Sequence, residues 1–326
     1  MRGRATLVAV AVAVSTVAGS GTAAVADRPP DARVPRVADW LAAGQNAHNT
    51  RDAGTERLID RTNVGRLKPR WVFTTGGDVI ATPAVPRGVV YVPDAAGTLW
   101  ALRSTDAAVV WSKRISDYTG QAADGSRTTP AIDGDFGSMP NFFTARIGGR
   151  DVPMVGVGQK SGSYWALDAR TGQVVWSVKV GPSGPFGGIQ WGSATDGERI
   201  YVAAANSART PVQVAAPGRG TTTVTGGLWA ALDPATGRVL WRTPDPQGAI
   251  DMGFVSVADG VVYAGSGAST GDTMYALDAR TGAVLWGYPS GGSVIGGAAI
   301  VDGSVYWGSG YYIGQDDNRL YAFDRG

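Results

Sequence analysis

Few groups in this chain can do chemistry. Among its 326 residues there is no cysteine and one histidine. Disulfides, thiolate zinc sites, cysteine nucleophiles and covalently attached c-type haem are therefore excluded. His48 sits in an irregular stretch, Trp40 to Arg51, with no second imidazole to share a metal or form a relay, and reads as a surface or packing residue. What remains is carboxylate, ammonium and indole chemistry. Asp135 follows Asp133-Gly134 in a Gly-rich turn, and a carboxylate can act as general base toward a proton within hydrogen-bond reach. Lys160 precedes Ser161-Gly162 at a strand connection, and a cation there can stabilise an oxygen that gains charge. Trp191 can offer a flat apolar face to a planar ligand. By local sequence alone, Asp135 reads as a turn residue and Lys160 as a solvated hairpin residue.

Such groups need a scaffold, and the scaffold is a repeated phrase. Tyr/Trp-Ala-Leu-Asp-x-x-Thr-Gly-x-x-x-Trp occurs from Trp165 to Trp176, from Trp229 to Trp241 with one extra Ala, and from Tyr275 to Trp286. A worn copy, Trp100 to Trp111, has Arg103 for the Asp and Ala107 for the Gly, and Leu320 to Asp324 is a truncated copy. Apolar alternation at period two marks a strand, Asp and Thr bond to nearby backbone, and the Gly takes the positive φ of a tight connection. A second strand then carries the Trp. The copies stand 45 or 65 residues apart, measured at Leu102, Leu167, Leu232 and Leu277. Four short strands at such a period predict a β-propeller.

The expected architecture is all-β, with about five four-stranded blades in one domain over residues 63–326. Glycine, at 48 residues, is about twice as frequent as usual, as many tight turns require, and no stretch carries a capped helical period. Trp111, Trp176, Trp241 and Trp286 share one repeat position and are expected to pack between blades. Trp191 lies off it. The strand Trp71-Val72-Phe73 has no inner partners of its own, whereas Val294 to Phe323 supplies three strands without an outer one. The two ends should therefore share one blade and close the ring. Insertions are expected at Gly148 to Asp151 and at Ala208 to Gly226, the latter a flexible excursion.

Compartment and partners follow from charge. Arg2 and Arg4, the apolar run Ala5 to Ala18 and the small residues Ala24-Val25-Ala26 predict a signal peptide over residues 1–26, cleaved before Asp27, with residues 27–62 a leader and irregular approach segment. The mature chain is expected in an extracytoplasmic, secreted location, in the periplasm or cell-envelope space. Without Arg2 and Arg4 its charge is about zero, so neither nucleic acid nor membrane insertion is expected.

Phrases outside the repeat give a family resemblance. They are GQNAHNTR at 44–51, NVGRLKPRWVF at 63–73, ISDYTG at 115–120, DFGSMPNFFT at 135–144, VGVGQKSGSYWALD at 155–168, GGIQWGSATDG at 187–197 and VYWGSGYY at 305–312. In these the chain resembles the pyrroloquinoline quinone (PQQ) dehydrogenases, in particular their polyvinyl alcohol dehydrogenase branch. The resemblance implies a secreted quinoprotein that oxidises an alcohol or polyol and passes electrons to a separate acceptor. It implies PQQ and calcium as cofactors, Asp135 as catalytic base and calcium ligand, and Lys160 and Trp191 as PQQ contacts. Family members have eight blades. The stretch missing here between Ile132 and Asp135 is where they carry a vicinal cysteine pair and the Glu and Asn of the calcium site, so this is an internally shortened version. The alternative is a non-catalytic propeller that binds or scaffolds another molecule, like the propeller lipoprotein of outer-membrane assembly. Oligomeric state is left open by the sequence.

Overall fold

The computed structural model describes residues 39–40, 43–46, 50–79, 82–83, 85, 88–94, 96, 98–114, 138–169, 173–216, 220–311 and 315–325. Five antiparallel blade sheets follow one another, each of four strands except the first, which has three among the described residues, and a separate two-stranded sheet lies within the third. The first is β2 (Val89–Pro93), β3 (Thr98–Arg103) and β4 (Val109–Arg114). The second comprises β5 (Asn141–Ile147), β6 (Arg150–Gly158), β7 (Ser163–Asp168) and β8 (Val174–Lys179). The third is β9 (Ala194–Thr195), β10 (Ile200–Ala204), β13 (Leu228–Leu232) and β14 (Val239–Pro244). The fourth is β15 (Val255–Ala258), β16 (Val261–Gly265), β17 (Met274–Asp278) and β18 (Val284–Tyr288). The last blade joins β19 (Ala299–Val301), β20 (Ser304–Gly308) and β21 (Arg319–Asp324) to β1 (Lys68–Thr74). The chain is a β-propeller whose ends share a blade, with Trp71 opposite Ala322, Val72 opposite Tyr321 and Phe73 opposite Leu320.

The repeated phrase folds as its chemistry dictates. Asp233 Oδ1 accepts from Ala235 N (2.9 Å) and Thr236 N (3.0 Å), and Asp278 Oδ1 accepts from Arg280 N (3.0 Å) and Thr281 N (2.8 Å). Gly237 and Gly282 then turn the chain at φ 71° and 75°. In the three intact copies and the worn one alike, the hairpin carries a bulge just after the Ala, so the Trp lands directly opposite that Ala: Ala101 with Trp111, Ala166 with Trp176, Ala231 with Trp241, Ala276 with Trp286. A small residue across the ladder leaves the indole free to lean onto the neighbouring blade.

It does so unevenly. Trp176 Nε1 donates to Pro234 O and Trp241 Nε1 to Ala279 O, each at 3.0 Å across a blade boundary, and both rings are buried. Trp71 Nε1, from outside any copy of the phrase, makes the same bond to Ser104 O (2.9 Å). Trp286 packs edge-on against Phe323 at 5.2 Å. Trp111 departs from the expected inter-blade burial: it is 37% exposed and contacts Tyr91 of its own blade. Its copy is the worn one.

Two insertions differ from expectation. Residues 212–224 form an ordered hairpin, β11 (Val212–Ala216) with β12 (Gly220–Val224), because Val212 and Val214 flank Gln213 at period two, lie opposite the β-favouring Val224 and Thr222, and Val214 finds a buried place. Gly148 and Gly149, both at positive φ, make a two-residue turn between β5 and β6. The approach segment is also more structured than its irregular composition suggests. Trp40 pairs with Val85, Thr195 N donates to Thr50 O (2.7 Å), Asp52 bridges Val257, and Glu56 Oε2 accepts from Gly303 N (3.0 Å). One extended stretch thus links the first, third, fourth and shared blades. The only helical piece among the described residues is the single 3-10 turn Val64–Arg66, and no described helix is long and apolar enough to cross a membrane.

Candidate cofactor site

Topology decides which residues share a face. In each blade the chain enters the inner strand at one end of the ring and returns there between the second and third strands. Lys160, in the turn between β6 and β7, and Trp191, just before inner strand β9, therefore lie on the same face. The phrase turns lie on the other. The loop 184–192 brings the two together: a Cβ on Gly187 would stand 2.9 Å from Lys160 Cβ, so the lysine stem rests against that glycine, whose φ is 77°. Ile189 N donates to Gln159 O (3.2 Å) and Ala205 N to Gly188 O (2.8 Å), fixing the loop between the second and third blades.

Trp191 packs against Phe254, with ring centroids 6.1 Å apart, at the edge of an apolar cluster of Ala205, Met252, Ile295 and Tyr311. Its Nε1 is buried with no hydrogen-bond partner among the described residues. Met139 N donates to Trp191 O (3.4 Å), so the chain that follows Asp135 runs beside the tryptophan. Asp135 itself lies outside the described residues, as does His48.

Sequence reasoning missed two groups. Arg51, within the phrase 44–51, is wholly buried, and its guanidinium carbon lies 4.1 Å from the Phe254 ring centroid. Burial lowers its pKa to about 9. On the opposite face Asp52 borders a cavity of about 540 Å³ together with Asn46, Thr50, Thr144 and Asp196. Burial, helped by the Asp196 charge and opposed by Arg57, raises the Asp52 pKa from 3.8 to about 6. No local signal marks either, since both depend on the approach segment running along the inner strands.

The residues fit one implied cofactor and not the other. An ammonium group and an unpaired indole N–H are donors, which suit an acidic planar quinone. Calcium requires six to eight oxygens, and among the described residues no three His, Asp or Glu side chains are grouped to hold a metal.

Comparison with known proteins places the chain. Residues 66–141 and 225–326 match the PQQ-type repeat family described as outer membrane protein assembly factor BamB. A polyvinylalcohol dehydrogenase of Sphingopyxis sp. (strain 113P3) is 33% identical over 123 residues, which cover 34% of this chain and 17% of that protein. The dehydrogenase subunit of a quinone alcohol dehydrogenase from Gluconacetobacter polyoxogenes is 28% identical over 272 residues, covering 79% of this chain and 34% of that subunit. The chain thus spans about a third of the second relative and about a sixth of the first. Quinohemoprotein alcohol dehydrogenase from Comamonas testosteroni has the same fold, with a TM-score of 0.59 at 13% identity over 89% of this chain and 81% of that one. With more than half of its residues matched and five phrase-built blades in a ring, the chain belongs to the PQQ-type β-propeller repeat family.

Proposed function

We propose that this protein is an exported, internally shortened PQQ-dependent alcohol dehydrogenase, similar to polyvinyl alcohol dehydrogenase, built as one propeller domain over residues 63–326. Asp135 accepts the hydroxyl proton of an alcohol or polyol. Lys160 holds positive charge at the quinone oxygens, and Trp191 presents its ring to the quinone plane. The quinone, when bound, supplies the hydride acceptor, and a separate acceptor protein takes the electrons. Calcium at Asp135 belongs to the same reading, but the described residues do not complete such a site and no step is assigned to it. The observation that carries the proposal is the packing of the Lys160 stem on Gly187, four residues before Trp191, which sets a cation against the loop that carries the indole.

The second reading is a non-catalytic propeller that binds another macromolecule. It draws on the family match, which is described by an assembly factor and omits residues 142–224, where Lys160 and Trp191 lie. Titration of the mature protein with PQQ and Ca²⁺, followed by tryptophan fluorescence and dye-linked alcohol oxidation, separates the two. Fluorescence change with turnover supports the enzyme; neither supports the scaffold. Export is tested by mass spectrometry: a mature N-terminus at Asp27 is expected, and retention of residues 1–18 overturns it.

A further inference from the structure

We propose that Arg51 is the core of an anion site at the inner edges of the blades, filled by one free monoanion of halide size. The proposal is independent of whether a quinone binds. Arg51 is 0% exposed, and Nε, Nη1 and Nη2 all lack a hydrogen-bond partner among the described residues. A buried cation with five unanswered N–H bonds is costly, and the ring of Phe254 offsets only part of that cost. Burial is the one cause that moves its pKa, with no acidic neighbour contributing.

The surroundings are built to hold the guanidinium there. Arg51 adopts a left-handed backbone at φ 52°, which a non-glycine residue takes at a cost. Arg51 N donates to Gly44 O (3.0 Å) and Val257 N to Arg51 O (2.8 Å), which pins the position on both sides. Two glycines face the charged end: a Cβ on Gly192 would stand 3.0 Å from Nε, and one on Gly297 would stand 3.0 Å from Nη1. The Thr82 hydroxyl, which accepts from Gly297 N (3.1 Å), stands beside the same glycine with its own O–H to donate. The local groups are donors, which selects an anion over a cation. A single positive charge selects a monoanion, and full enclosure selects a small one.

The test measures thermal unfolding of the mature protein at constant ionic strength while sodium chloride or bromide replaces sodium gluconate, whose anion is too large to enter. A saturable rise in Tm is expected, about 5 °C at a hundred times Kd, and Arg51→Met should abolish the dependence. Should that variant not fold, bromide-soaked crystals of the unaltered protein decide, with an anomalous peak expected at the guanidinium. A Tm indifferent to halide, or ordered water or a carboxylate of the chain itself in that place, overturns the proposal.

Discussion

The indole of Trp176 lies on Gly237, a turn residue of the next blade, so closely that a Cβ there would stand 2.5 Å from Cε3. The same ring donates to Pro234 O at 3.0 Å. Trp241 repeats the relationship on Gly282 and Ala279. The glycine of the phrase therefore serves two needs at once, a left-handed φ and a flat seat for the preceding tryptophan.

Trp176→Phe keeps a ring and loses the hydrogen bond, and should cost about 1 kcal/mol. Trp176→Ala also loses the buried ring and should cost about 3–5 kcal/mol. Urea unfolding of both variants checks the order; equal losses would show that the buried ring adds nothing beyond the bond to Pro234.

Gly237→Ala should destabilise by at least about 1–2 kcal/mol, from the positive φ alone, with displacement of Trp176 added. The worn copy supplies the converse. Ala107 holds the glycine position at φ 58°, so Ala107→Gly should stabilise by about 0.5–1 kcal/mol. A denaturation midpoint that falls in Ala107→Gly would contradict this account of the turn.

Asp52 gives a pH dependence with a defined sign. Its pKa is raised from 3.8 to about 6, chiefly by burial, so the folded state prefers the protonated form. Its contribution is fully present below about pH 4 and is lost as pH rises to about 6. Asp52→Asn should therefore melt higher than the parent at pH 7 and match it at pH 3.5. A Tm difference that does not change with pH would remove the carboxyl as its cause.

Deletion of residues 319–326 removes β21, which pairs with both β1 and β20. The whole domain should lose cooperative unfolding, because an open sheet edge and the buried Leu320 and Phe323 contacts go together. An unchanged melting curve would mean that the shared blade is dispensable.

For the proposed reaction, Asp135→Ala should abolish dye-linked alcohol oxidation without altering the melting temperature. Lys160→Ala should mainly weaken PQQ binding, by roughly tenfold or more for a lost charge-assisted contact of about 1.5–3 kcal/mol. Turnover that survives Asp135→Ala would remove that residue from the proton transfer.

Legibility followed the range of the interaction. The Asp-x-x-Thr-Gly turn was readable because Asp233 and Asp278 bond within three residues of themselves. The shared blade was readable from the matching deficits at Trp71 and Leu320. Arg51 was not, since an arginine in a polar stretch gives no sign that inner strands from several blades will enclose it. Trp71 was missed as an inter-blade donor because it stands outside the phrase, and Trp111 was overestimated because its position was intact while its copy had decayed. The hairpin at 212–224 is obscured in the sequence because Gly and Pro outweigh the alternation of Val212 and Val214. Lys160 and Trp191 share a face for a reason the repeat itself supplies, namely which strand connections fall at which end.

The pairing of β1 with β21 also sets the order of events during synthesis. β1 waits for β21, about 250 residues later, so this ring cannot close until β21 has emerged. Through that interval β20 presents an unpaired edge and the approach segment has no complete set of inner strands to lie along. Such long-range closure makes folding slow. The nascent chain is then most exposed to wrong partners just before β21 emerges, and protection by other factors matters most at that moment.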